Sequence, residues 1–329
     1  MEVRGSAGVR AWGRLLRLSL APSAAADVVA GAVWAQGGYH PTGLGLWTLV
    51  LASLCVYHGG MALNDWADRE HDARTRGDRP IASGAIAARA ALVAALLLLV
   101  SGVFLAWRAD AGAGAWMTAV AACAIVYDLA GRGPVLGPAL LALCRAGNLG
   151  AGILLGLAQG TTHADTWVEL QPVVFLPALL YGLYVFCVSR VGRMEDAEEA
   201  KLAPGPWILA ALAVLLAVPW APHAGPPAHY GFLTEDWTAH RPRPALACRA
   251  LAAGLVVAAA WAPLRLALAP TVWTTALVER VMGVLLRRLL VFTAALALAA
   301  GSLDGLIAAG AILCGYPLSF ALRRVFPPS

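Results

Sequence analysis

The sequence predicts an all-α fold: a polytopic membrane bundle of nine or ten transmembrane helices around a central cavity, forming a single integral membrane domain. Three observations predict it. Of 329 residues, 60% are hydrophobic and only 13% are charged, whereas soluble domains carry charge on about a quarter of their positions. Apolar runs of about 20 residues, the length that crosses a bilayer as a helix, recur along the chain. These runs are rich in Ala and Leu and lack the alternation of a barrel strand. A mean hydropathy of +0.71 agrees.

In chain order, Arg4, Arg10, Arg14 and Arg17 precede an apolar stretch running to Gln36. That stretch is longer than the apolar region of a usual signal peptide, and further spans follow at once, so it is expected to be a retained first membrane helix. Spans follow the apolar runs at roughly 21–37, 43–64, 87–107, 113–130, 137–158, 171–190, 204–220 and 245–264. Region 285–322 reads either as one long helix plus a short one or as two crossings divided at Gly301-Ser302-Leu303-Asp304. The segment 219–244 is rich in Pro and His and forms the one linker-like stretch. Cys55, Cys123, Cys144, Cys187, Cys248 and Cys314 lie in or beside apolar segments, with no close pair, and read as small hydrophobes. Most tryptophans, such as Trp47, Trp107 and Trp207, fall near span ends, as in an aromatic belt.

The net charge of +5 is scattered through short connections and forms no basic face, which argues against a nucleic-acid partner. No obligate protein partner is evident, and the surroundings are membrane lipid. With the N-terminus inside, the inside connections hold Arg69, Arg74, Arg76 and Arg79, then Arg132, then Arg190, Arg193 and Lys201. The outside connections are poorer in Lys and Arg, with 221–243 (Arg241, Arg243) as the exception. Segments 64–72, 131–136 and 190–203 are therefore expected on one cytoplasmic face, in a bacterial inner membrane.

Chemistry concentrates where the second span leaves the bilayer, in Asn64-Asp65-Trp66-Ala67-Asp68-Arg69-Glu70-His71-Asp72, ending in Arg79-Pro80. If the helix continues, Asn64, Asp68 and Asp72 share one face at i, i+4 and i+8, with Asp65 beside it. Hard oxygen ligands on one stripe suit Mg²⁺, which takes few carboxylates and leaves positions for water and substrate phosphates. Asp68 and Asp72 are the expected catalytic pair, with Arg79 among the arginines that would hold phosphate charge. A second cluster follows the sixth span: Ser189-Arg190-Val191-Gly192-Arg193-Met194-Glu195-Asp196. Glu195 and Asp196 fit a second metal position in a two-sided clamp on diphosphate, or equally a solvated helix start. Arg145 and Asn148, at i and i+3, lie about eight and eleven residues into the fifth span, on the order of 12–16 Å deep. A buried arginine there is expected to meet the diphosphate or a first-motif carboxylate. Tyr57 and His58 face the same region, and Asp27 in the first span has no evident partner.

Asn64-Asp65-x-x-Asp68-x-x-x-Asp72 followed by Arg79-Pro80-Ile81-x-Ser83-Gly84 resembles the first signature of the UbiA superfamily of intramembrane prenyltransferases. The element Tyr127-Asp128-Leu129-Ala130-Gly131-Arg132 is similar to that family's Tyr-x-x-x-Lys element, one residue longer and with Arg for Lys. Together with Gly137-Pro138, Cys144-Arg145-Ala146-Gly147-Asn148 and Ser189-Arg190, it resembles the EboC-type branch. The likeness runs over about 12–220, with the C-terminal helices 245–322 beyond it. It implies Mg²⁺-dependent transfer of an isoprenyl group from a prenyl diphosphate to an aromatic or other lipophilic acceptor. Asn64, Asp65, Asp68 and Asp72 would then hold metal, and Arg79, Arg145, Asn148, Arg190, Arg193, Tyr127 and Arg132 would bind diphosphate. The family's second aspartate pair is replaced here by Ser189 and Arg193, so diphosphate is expected on Arg190 and Arg193 or metal on Glu195 and Asp196. The alternative is non-catalytic binding or transport of an isoprenoid or amphipathic metabolite by the same scaffold.

Overall fold

The computed structural model describes residues 2–36, 43–130, 133–160, 172–194, 203–221, 242–268 and 272–327. Among them are eleven α-helices: α1 (Glu2–Leu15), α2 (Ala21–Gln36), α3 (Leu44–Thr75), α4 (Ala88–Ala109), α5 (Ala111–Leu129), α6 (Leu136–Gly160), α7 (Leu176–Gly192), α8 (Gly205–Ala217), α9 (Pro242–Leu268), α10 (Thr275–Ala299) and α11 (Leu303–Val325). Nine spans among the described residues are long and apolar enough to cross a membrane. The chain is an integral, multi-pass membrane protein.

Helices adjacent in sequence pack as neighbours from α2 round to α11, and α11 closes the ring against α2. Helix α2 also touches α6 and α10, so it stands near the middle of the bundle. Along α10 every residue from Leu289 to Ala299 is buried, which makes it the dry axis of the C-terminal half. In contrast α4 carries Leu96, Leu97, Val100 and Phe104 on its outer surface, the apolar face a bilayer requires.

Helix α3 runs unbroken for 32 residues. At about 1.5 Å per residue it exceeds a hydrocarbon core of roughly 30 Å, so its last turns, bearing the acidic motif, leave the membrane still helical. The expected i, i+4, i+8 stripe therefore forms.

The C-terminal region resolves into two crossings. Helix α10 starts at Thr275, ten residues ahead of the expected start at 285. Gly301 takes a left-handed φ of 72° and Ser302 caps α11, its Oγ accepting from the Gly305 amide at 3.0 Å. Contacts at the helix ends define two faces. Gly13 of α1 lies against the Phe326 ring, Arg14 pairs with Asp78 at 2.9 Å, and Gly192 lies against Met282. These put α1, the end of α3, the end of α7, the start of α10 and the end of α11 on one face, called here the motif face. Gly301 stands beside Ala245, so α9 begins on the opposite face. The chain must therefore cross between Met194 and Ala245. The described element there is α8, 13 residues continued by a 3₁₀ turn over Val218–Trp220. It supplies a short tenth crossing.

Candidate functional site

On the motif face, the turn after α3 folds back onto the helix that precedes it. Arg79 N–H donates to the Arg76 carbonyl and Ser83 N–H to that of Arg79. This aims the Arg79 side chain at α3, where Nη1 meets Asp65 Oδ1 at 3.2 Å and Asp72 Oδ2 at 2.8 Å. One guanidinium thus clamps two carboxylates two helical turns apart. A second cation comes from Arg17, between α1 and α2, whose Nη2 lies 3.3 Å from Asp65 Oδ1. Arg17 holds the left-handed φ of 50°, the one non-glycine residue to do so among those described. Such a backbone costs on the order of 1–2 kcal/mol per residue, offset here by the ion pair its position permits. Asp65, Asp72 and Arg79 are all buried. Asp65 Oδ2 is buried without a hydrogen-bond partner among the described residues.

The arrangement differs from the expected one in two respects. Arg79, expected to hold phosphate, is bonded to Asp65 and Asp72. Asn64, expected to face metal, donates through Nδ2 to Asp128 Oδ1 at 3.1 Å. Among the described residues no three His, Cys, Asp or Glu side chains stand together as a metal-ligating group. The donor chemistry still fits Mg²⁺. Asn64, Asp65, Asp68 and Asp72 offer only hard oxygens across one helix face, and Mg²⁺ is commonly held by one or two carboxylates with water and substrate phosphate completing its shell.

Below this cap lies a cavity of about 130 Å³ whose walls include Tyr57 and Gly60 of α3, Tyr127 and Asp128 of α5, and Arg145 and Asn148 of α6. Tyr57, Tyr127, Arg145 and Asn148 thus meet in one cavity, although they are spread over 92 positions of sequence. Arg145 does not reach the first motif. Its Nη2 donates to Asp27 Oδ1 at 3.2 Å, to the Tyr181 hydroxyl at 2.8 Å and to the Ser23 carbonyl at 3.3 Å. Asp27 therefore has the partner that sequence reading did not find. It is fully buried, and it also accepts from the Tyr181 hydroxyl at 2.6 Å and from Asn148 Nδ2 at 3.0 Å. Small residues make this possible. Gly31 lies against the α6 backbone, and Gly152 and Gly156 lie against that of α2, so the two helices touch main chain to main chain. His58 is satisfied structurally, its Nδ1 2.6 Å from the Leu16 carbonyl.

At the end of α7, Arg190 donates to the Pro134 carbonyl and stacks over Trp207, 5.0 Å from the ring centroid. That ties α7 to the loop before α6 and to α8, a structural use beside its expected hold on diphosphate. Arg190 Nε and Arg193 Nη2 are both buried with no hydrogen-bond partner among the described residues, and Arg193 shows neither the carbonyl bond nor the ring contact that holds Arg190. Arg132, Glu195 and Asp196, each expected to contribute, lie outside the described residues.

The model of the UbiA prenyltransferase family matches residues 24–329. The chain belongs to that family. Two curated relatives align with it. A digeranylgeranylglyceryl phosphate synthase of Methanothrix thermoacetophila is 49% identical over 55 residues, 17% of this chain and 21% of that protein. A 4-hydroxybenzoate octaprenyltransferase of Cupriavidus necator is 29% identical over 175 residues, 52% of this chain and 57% of that protein. The chain thus spans about a fifth of the first relative and just over half of the second. Among solved structures, a UbiA homolog from Aeropyrum pernix matches with a TM-score of 0.57 at 16% identity, over 85% of this chain and 97% of that one. A UbiA homolog from Archaeoglobus fulgidus, bound to GPP and Mg²⁺, matches with 0.55 at 14% identity, over 87% and 99%. At such identity the likeness is one of fold. Within this UbiA-family bundle, sequence reading missed Arg17, Tyr181 and the role of Asp128. Each sits tens of residues from its partner (48 between Arg17 and Asp65, 154 between Asp27 and Tyr181), and no local pattern links them.

Proposed function

We propose that this chain is a Mg²⁺-dependent prenyltransferase, moving an isoprenyl group from a prenyl diphosphate to a lipophilic acceptor at the motif face, which is the cytoplasmic one. The observation that carries this is the continuity of cap and cavity. The face of α3 that lines the cavity at Tyr57 and Gly60 leads one turn later to Asn64, bonded to Asp128 in the cavity wall. A charged cap thus adjoins an apolar pocket through the Asn64–Asp128 bond, matching the two ends of a prenyl diphosphate.

In this reading Asn64, Asp65, Asp68 and Asp72 would hold Mg²⁺, which when bound supplies positive charge against the departing diphosphate. Arg79 and Arg17 pair with Asp65 and Asp72, and on substrate binding they would exchange carboxylate for phosphate oxygen. Arg193, with a buried Nη2 that lacks a partner among the described residues, would donate to the same diphosphate. The cavity walls keep water from the allylic cation, so that the acceptor captures it. GPP and Mg²⁺ in the Archaeoglobus fulgidus homolog support this substrate class and this ion.

The test is pyrophosphate release by purified protein from geranyl, farnesyl and geranylgeranyl diphosphate. Release that requires Mg²⁺ and stops on chelation is expected. Failure to bind or cleave any of the three would overturn the reading.

A further inference from the structure

Arg145 and Asp128 are the charged side chains that line the cavity, and their pairing bears on what the cavity accepts. An anion brought out of water needs an unmatched cation to meet it, because hydrogen bonds alone do not replace its hydration. Arg145 is not unmatched. Asp27, fully buried, lies 3.2 Å from its Nη2 and cancels its charge. Asp27 is itself complete, taking the Tyr181 hydroxyl and Asn148 Nδ2 as further donors, so it does not release Arg145 for another anion. Asp128 adds no positive charge. Arg193, whose buried Nη2 has no partner among the described residues, stands at the end of α7 and is assigned to the diphosphate in the proposed reading.

Arg145 nevertheless keeps hydrogen-bonding capacity. All three of its bonds use Nη2, and the side chain, which lines the cavity, keeps 14% of its surface exposed. A charge-cancelled donor at the deep end of an apolar cavity recognises a neutral oxygen such as a hydroxyl, an amide or a ketone. We infer that the acceptor subsite at Arg145 and Asn148 takes an uncharged lipophilic molecule and rejects carboxylates, with Asp27 as the specificity-determining residue. This rests on the transferase reading for the word acceptor, while the preference itself is a property of the cavity.

The experiment uses two near-isosteric probes, 4-hydroxybenzamide and 4-hydroxybenzoate, in equilibrium binding to the full-length protein in nanodiscs with Mg²⁺ and a thiolo analogue of geranyl diphosphate. The amide should bind at least about tenfold tighter. Asp27→Asn uncovers the Arg145 charge and should erase or reverse that ratio. Because Asp27→Asn leaves a buried cation and can fail to fold, the charge-free double variant Asp27→Leu/Arg145→Met is measured alongside it. That variant should still reject the carboxylate. Equal binding of both probes by the wild type, preference for the carboxylate, or binding of neither would overturn the inference, as would a folded Asp27→Asn that kept the wild-type ratio. Pyrophosphate release is scored separately. Amide preference without release would sink the transferase reading alone, and release with the carboxylate preferred would sink the specificity alone.

Discussion

Two carboxylate–arginine clusters, one lining the cavity through Arg145 and Asn148 and one at the motif end of α3, are built in opposite ways. In the deep quartet, Asp27 receives three donors from Arg145, Tyr181 and Asn148 and is fully shielded. At the cap, Asp65 and Asp72 share Arg79, Arg17 reaches Asp65 at the longer distance of 3.3 Å, and Asp65 Oδ2 has no partner among the described residues. The quartet also ties α2, α6 and α7 together, whereas the cap ties one helix to its own following turn and to the chain before α2. A closed cluster holds helices, and an open one can trade partners. Burial alone does not separate them, since both contain buried aspartates; what separates them is that both oxygens of Asp27 are bonded while Asp65 Oδ2 is not, among the described residues.

The comparison breaks most directly at Arg145. Arg145→Met leaves Asp27 buried without its counter-ion and should destabilise the protein by about 3–5 kcal/mol, read as a fall in thermal unfolding temperature in detergent. A variant as stable as wild type would remove the quartet's structural role. The cap should answer in the other currency. Asp68→Ala is expected to lower Mg²⁺-dependent diphosphate binding or turnover on the order of 10²–10³-fold while the unfolding temperature stays close to wild type. If stability fell with affinity, cap and quartet would be alike.

Two smaller effects sharpen the contrast. Arg193→Gln should weaken prenyl diphosphate binding by roughly tenfold or more, the worth of one charge-assisted hydrogen bond. Arg190→Gln, acting on Pro134 and Trp207, should leave that binding constant unchanged. The reverse pattern in titrations of both variants would reassign the two arginines. Gly152→Ala adds a methyl where α6 lies against the Val28 carbonyl of α2, and should cost about 1–3 kcal/mol of stability by forcing the helices apart. A neutral result would mean that the main-chain contact between α2 and α6 does not position Asp27.

How much of this was legible in the sequence follows from the range over which each feature is specified. The continuation of α3 through Asp72 was readable, because helical periodicity relates residues three and four apart and the motif lies within nine positions. The division at Gly301-Ser302 was readable as one of two alternatives, since a glycine followed by a capping serine breaks a helix locally. The partners of Asp27 were not readable, for Arg145 and Tyr181 come from other helices 118 and 154 positions away. Nor was the division of labour between Arg190 and Arg193. Both are arginines at one helix end, and only the neighbouring Pro134 and Trp207 distinguish them.

The sequence by itself determined the membrane class, the helices and the acidic motif on one stripe, because hydropathy, periodicity and capping act over one element at a time. Tertiary structure decided which charges remain open to a ligand. It did so by bringing α2 against α6 through small residues, thereby matching Arg145 with Asp27, and by folding Arg79 back onto α3. Charge cancellation in an apolar interior depends on separations of a few ångströms between distant parts of the chain, and only the packed bundle fixes those.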